Sequence, residues 1–338
     1  MKIIKTALFI WVLVLGSCND PLEEETFSVL GPSNFYSTGE DAEALLNGVY
    51  AQSQGYRDLL RDLLTFNEVN TDIMIERGGA INSNMLPMED FLFPSTQPWL
   101  LNRWNRSYNA IYRANVTLEK VPGIDMGEGR KAQVLAEARF LRAFNYQLLY
   151  SLFGRVPLIT NSETSVTDRP SRASEEEMIN FLETEFLAVA AILPVSSEQF
   201  GRATKGAALG FLSKFYLNRK RWAEAAATAK QVMDLGTYAL FTEGSREQLF
   251  AMDNEHNSEY IFAAPYPDPP TNADGNTYLS HAAPPGYLFE YPPKVNFAAQ
   301  FKIRSEFLEL FEPEDERLNA FVFEYTNVQG ATVVLGED

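Results

Sequence analysis

One cysteine occurs in the 338 residues, and its neighbours give the thiol a use. Leu15-Gly16-Ser17-Cys18 closes a run of nine uninterrupted apolar residues, 7–15, that begins after Lys2 and Lys5. A positive start, a short apolar stretch and small residues before the cut make a secretory signal. The run is too short for a spanning helix, which needs about 20 residues. The pattern therefore predicts diacylglyceryl transfer to the thiolate and cleavage before it, leaving Cys18 as an acylated mature N-terminus. Each buried methylene adds about 0.8 kcal/mol, and two or more chains hold a protein on a membrane where one does not. With its only thiol acylated the chain has no disulfide, so packing alone must stabilise it.

A second chemistry is recognition of carbohydrate, which needs flat aromatic faces against sugar C–H surfaces with amides, carboxylates or arginine for the hydroxyls. Two stretches combine these types. Asp72, Arg77, Asn82 and Asn84 precede Trp99 and Asn102 in a segment with few helix signals, and a proline-rich stretch carries Tyr266, Tyr278, Tyr287, Phe289 and Tyr291. Each aromatic taken singly is more often local packing under a long loop, and the case for a binding face rests on the group. Burying about 100 Å² of apolar surface is worth roughly 2.5 kcal/mol. Two such faces barely exceed the roughly 4 kcal/mol of millimolar binding before ordering costs. A polymer held at several points gains from effective concentration instead.

Other reactive types form no site. Arg139 and Arg142, beside Glu137 in an otherwise apolar helix, read as guanidinium groups paired with carboxylates or carbonyls between helices. Among 45 acids no motif singles out the two carboxylates that glycoside hydrolysis requires. His256 and His281 lack ligand spacing for zinc and read as exposed loop histidines. Residues 272–276 resemble half a calcium loop, but Ala283 stands where the distal glutamate belongs, so turn chemistry accounts for them. No phosphate loop, Cys-His pair or serine elbow occurs. No enzyme activity, metal or cofactor is expected.

The elements that position these residues are mainly helical. With 46% hydrophobic and 13% aromatic residues the chain can bury enough to fold. The net charge of −17 disfavours nucleic acid and anionic lipid as partners of the folded body, and signal removal takes away two lysines and no acid. Residues 18–33, polar and acidic from Asn19 to Glu25, form a tether, either a solvated spacer or an address for lipoprotein export. Apolar residues at helical spacing run through 104–121 and again through 134–152 until Gly154 and Pro157, with turn-rich 122–129 between them, an antiparallel hairpin. Ser174 caps a helix reaching Leu193, with Glu175, Glu176 and Glu177 in its first turn. Helices over 201–217 and 222–235 follow, crowded with alanine, and Trp222 is expected to fill the groove between them. The scaffold over about 100–240 reads as irregular tetratricopeptide-like repeats. Residues 253–298 hold eight of the 18 prolines without periodicity, a loop-rich region expected to serve function. Residues 321–325 and 331–335 alternate like a hairpin, and its unpaired edge predicts that a further C-terminal part is missing.

These residues, in order, resemble the SusD/RagB family of nutrient-binding surface lipoproteins. The resemblance rests on the Cys18 lipobox, Trp104-Asn105-Arg106-Ser107-Tyr108-Asn109-Ala110-Ile111-Tyr112-Arg113-Ala114-Asn115, Ala136-Glu137-Ala138-Arg139-Phe140-Leu141-Arg142-Ala143-Phe144-Asn145-Tyr146, Phe153-Gly154-Arg155-Val156-Pro157-Leu158, Gly201-Arg202-Ala203-Thr204-Lys205-Gly206, Trp222-Ala223-Glu224-Ala225, Asn257-Ser258-Glu259-Tyr260-Ile261 and Asp315-Glu316-Arg317. It covers nearly the whole mature chain from Cys18 and departs at the end, where the family continues with further helices. It implies a mainly α, tetratricopeptide-like superhelix with long irregular loops and a small C-terminal β-hairpin, anchored on the outer membrane of a Gram-negative bacterium and exposed at the cell surface. It also implies a TonB-dependent transporter barrel as partner, with the scaffold facing the barrel and the loops facing a glycan or, in some branches, a peptide. A purely structural helical-repeat scaffold of the envelope is the reading from another class.

Overall fold

The computed structural model describes residues 36–54, 62–63, 67–76, 82–163, 168–265, 278–288 and 299–335. The signal segment, Cys18 and the acidic tether lie outside them, as do residues 272–276.

Helix α1, Gly39–Ser53, opens the described fold. Thr38 accepts from the Asp41 N–H while Asp41 returns a bond to the Thr38 backbone, and Ala42, Leu46, Val49 and Ser53 form its inward stripe. The sequence reading did not anticipate this helix. After β1, Met74–Glu76, comes α2, Asn82–Glu89. Helix α3, Pro98–Lys120, begins with proline at its first position, where a missing N–H costs nothing. The Gln97 side chain accepts the N–H groups of Trp99 and Leu100. Helix α4, Glu128–Phe153, runs back along α3 and stops at Gly154, whose φ of +67° suits glycine. The expected hairpin is therefore present, each helix beginning about a turn and a half earlier than its apolar spacing indicated.

Helix α5, Glu175–Ala190, has the expected Ser174 cap, completed by Glu177 as a capping box. Helix α6, Lys205–Asn218, is capped by Thr204 and so starts four residues later than the expected 201, and α7 is Trp222–Asp234. Successive helices pack as antiparallel neighbours from α3 to α7, with α1 against α3 and α4. Ala225, Thr228 and Val232 face α6. Trp222 does not fill the groove: it starts α7 right after the tight turn 219–221 that follows Asn218, and is 60% exposed.

The main core is aromatic where α4, α5 and α6 meet. Phe140 lies 6.1 Å from Phe186, 5.9 Å from Phe211 and 5.1 Å from Phe262, all edge-on, the arrangement the ring quadrupoles favour. Two buried carboxylates join helices across this core. Glu185 on α5 receives Arg139 at 2.8 Å and Arg142 at 3.1 Å, both from α4, so the paired reading of these arginines holds. Glu137 on α4 accepts the Tyr50 hydroxyl at 2.7 Å, Arg130 at 2.9 Å and Arg202 at 3.3 Å, and Arg130 forks onto Glu43 of α1. Burial, with Glu137 beside it, pushes the Tyr50 hydroxyl well above the ordinary phenol range. Gly201 turns the chain into this network at φ +84°, and a Cβ there would stand 2.5 Å from Pro265.

The last third holds short pieces: α8, Arg246–Leu249; α9, Tyr278–Ala282; β2, Phe301–Ile303; α10, Ser305–Leu308; and an antiparallel hairpin of β3, Glu324–Thr326, with β4, Thr332–Val334, where alternation predicted one. Strand β2 pairs antiparallel with β1, Met74 opposite Ile303, and Arg304 donates to the Met74 carbonyl at 3.0 Å. No helix among the described residues is long and apolar enough to cross a membrane.

Candidate functional site

The β1–β2 sheet, α2 and the first turn of α3 enclose a second, smaller core of Val69, Met74, Met85, Met88 and Trp99. It brings together candidates from both sequence stretches. Trp99 is a core residue, 7% exposed, because Gln97 caps α3 so that its first turn faces α2. Its ring is therefore not presented to solvent as an open platform. Tyr278, from the proline-rich stretch, packs half-buried on the same cluster, and burial raises its hydroxyl pKa. Asp72 is exposed just before β1; Asn84 and Asn102 are half-buried, and the Asn84 carbonyl accepts the Gln97 side-chain amide at 3.2 Å. Arg77, Tyr266, Phe289 and Tyr291 lie outside the described residues, as does the side chain of Asn82.

Tyr287 is elsewhere. Its ring is 5.6 Å from Tyr325 of β3, its backbone bridges to Asn327, and it borders an open cavity of about 680 Å³ with Phe321 and Phe323 on the wall. The structure thus divides the candidates between two places, with Asp72, Trp99 and Tyr278 around the second core and Tyr287 against the C-terminal hairpin.

The exposed aromatics of the first place are ones the sequence reading passed over. Phe91 is 66% exposed and Phe93 38% exposed, in the turn between α2 and α3. Their signal was legible as three apolar residues, Phe91, Leu92 and Phe93, outside any periodic run and just before Pro94.

His281 differs from its expected exposure. It is 4% exposed, with Nδ1 2.6 Å from the Gln300 side-chain oxygen, and its carbonyl accepts the Gln300 N–H at 2.7 Å, because α9 is closed onto the residues just before β2. His256 is exposed, its ring 4.0 Å from Phe200. Among the described residues no group of three histidine, cysteine, aspartate or glutamate side chains could hold a metal.

Comparison with known proteins gives this arrangement a setting. The model of a family described as "Starch-binding associating with outer membrane" matches residues 35–217. SusD-like protein P2 of Formosa agariphila is 28% identical over 238 residues, covering 69% of this chain and 46% of its own length. SusD-like protein P25 of the same organism is 23% identical over 283 residues, covering 78% and 52%. Among solved structures, a laminarin-binding SusD-like protein superposes with TM-score 0.71 at 24% identity over 89% of this chain and 70% of that one. A SusD superfamily protein from Parabacteroides distasonis gives 0.74 at 22% identity over 88% and 67%. Both likenesses show the fold, mainly helical as expected. The chain spans about half the length of these curated relatives.

Proposed function

The chain belongs to the SusD-like family, whose model covers α1 to α6 and the turns between them, and on that premise we propose that it is a non-catalytic surface lipoprotein that captures glycan for import. The family match carries this reading, since the family is one of starch- and glycan-binding proteins associated with the outer membrane. Cys18 would carry the acyl chains and residues 18–33 would hold the body off the headgroups. The helical scaffold would rest against a TonB-dependent transporter barrel, and the loop-bearing side, with the second core and the C-terminal hairpin, would meet the polymer. Weak contacts suffice there, because a polysaccharide touching several faces next to a transporter is retained by effective concentration.

Titration calorimetry against starch, laminarin and other polysaccharides tests capture. Silence from every glycan together with heat from peptides would assign the chain to a peptide-binding branch. Mass spectrometry of membrane-extracted protein should find an acylated Cys18, lost in Cys18→Ser, and a transporter barrel should co-purify. A non-acylated chain that brings down no barrel would leave the envelope-scaffold reading.

A further inference from the structure

Helix α4 ends on Gly154 at φ +67°, and Gly236, just past α7, has the same φ. Helix α2, like α6 with Lys220 at φ +59°, ends without a glycine. The Phe91 N–H donates to the Met88 carbonyl at 3.2 Å and the Leu92 N–H to the Pro87 carbonyl at 2.8 Å, the paired bonds of a Schellman cap, which puts Phe91 at the left-handed position with φ +56°. A phenylalanine there is strained where glycine is not. Packing does not offset the strain, for the ring is 66% exposed.

The turn is nonetheless fixed at both ends. Beyond Phe93 the Gln97 N–H donates to the Pro94 carbonyl at 3.0 Å, and the buried Gln97 side chain ties the Asn84 carbonyl to the first turn of α3. Residues 90–96, all exposed, therefore hold two aromatic rings and Leu92 outward on a braced backbone, with Asp90, Ser95 and Thr96 beside them. A strained backbone that keeps a side chain in solvent points to use of that side chain.

We infer that the 91–93 tip is a carbohydrate-stacking subsite, Phe91 its principal platform and Phe93 its second, with Asp90, Ser95 and Thr96 in reach of sugar hydroxyls. The inference rests on the glycan-capture reading. A sugar suits the tip better than a protein does. Three exposed side chains on one turn fall far short of the roughly 800 Å² per partner of a stable protein interface, whereas one pyranose face needs only one ring, and neighbouring carboxylate and hydroxyl groups supply its polar contacts.

The test is Phe91→Gly in the full chain, with Phe93→Ala beside it, titrated with amylopectin and with laminarin and melted alongside wild type. Phe91→Gly should melt at or above the wild-type temperature and bind roughly tenfold more weakly, the loss expected when most of one stacking face is removed; Phe93→Ala should lose less. Wild-type affinity in Phe91→Gly overturns the subsite and leaves glycan capture standing. A clear fall in melting temperature overturns the strain argument, because the ring would then be packing. Unchanged glycan affinity with loss of the co-purifying barrel makes the tip a protein contact and also overturns it. Wild-type silence toward both polysaccharides counts against capture itself, and the subsite falls with it.

Discussion

Replacing Glu185 by alanine removes the carboxylate that neutralises two arginines of α4. The Glu185 and Arg142 side chains are 8% and 9% exposed, so their pairing is screened little by water, whereas Arg139 reaches solvent and can rehydrate. Breaking a buried pair by deleting one partner costs about 3–5 kcal/mol, because the other charge stays buried. The low end applies here, since Arg142 keeps the Asn115 side-chain oxygen at 2.9 Å, the Thr160 carbonyl at 3.3 Å and the Phe181 ring face. A loss of about 3 kcal/mol corresponds to roughly 6–12 °C in melting temperature for a domain of a couple of hundred residues. Circular dichroism melts should show that drop in Glu185→Ala and a smaller one in Glu185→Gln, which keeps an acceptor without the charge. The double variant Arg142→Met with Glu185→Met should regain most of the loss, since a packed apolar pair avoids the desolvation cost. A Glu185→Ala melt within about 1 °C of wild type would refute the reasoning, for it would mean that Arg142 never depended on the pair.

The phenols give a pH signature: burial raises the hydroxyls of Tyr50, Tyr108 and Tyr146 above the ordinary range and pushes Tyr150 up to about 12. The folded state then holds these protons more tightly than the unfolded one, so their contribution is complete below pH 10 and declines above it, that of Tyr150 being lost as pH rises through about 12. Absorbance at the phenolate band should show a group of tyrosines ionising only as the fold is lost, and a single normal titration would contradict it. In acid the sign reverses. The side-chain bond from Arg130 holds Glu43 below the usual carboxylate range, so its contribution is present above the unfolded value and fades as pH falls through the depressed one; Arg130→Met should flatten that part of the acid melt curve. Gly201→Ala should destabilise by at least about 1 kcal/mol through its left-handed φ alone, and more through the Pro265 contact, in urea unfolding. Trp99→Ala should cost about 3–5 kcal/mol of stability as a core truncation, so any weakened glycan binding should follow the unfolded fraction.

The helical scaffold was legible because its signals are local. Ser174 with Glu177, Gly154 after Phe153 and the apolar steps of α3 and α4 each lie within one helix of what they determine. Helix α1 carried an equally local sign in the Thr38–Asp41 capping box, but its inward stripe of Ala42, Leu46 and Val49 is short and contains few large apolar residues. Strands β1 and β2 could not be read, since three residues give no usable alternation and their pairing depends on a partner far along the chain. The same limit governs the candidate site. That Trp99 is core and Phe91 is open follows from the Gln97 brace and from packing between α2 and α3, neither of which spacing encodes. His281 read as a loop histidine for the same reason, because its closure against Gln300 is a tertiary fact.

The pairing of β1 with β2 joins positions as far apart as Met74 and Arg304, 230 residues. Direct closure of a flexible loop of that length carries an entropy cost of about 5 kcal/mol, more than two strands of three residues could offset. The intervening helices remove most of it. Once α3 to α7 have stacked, they hold the two ends within reach, so the sheet should form last, as a clasp that locks after the scaffold is built. Slow-exchanging amides in the helices should therefore be protected before those of Ile75 and Lys302 during refolding, and the clasp should be the first part to open under mild denaturant.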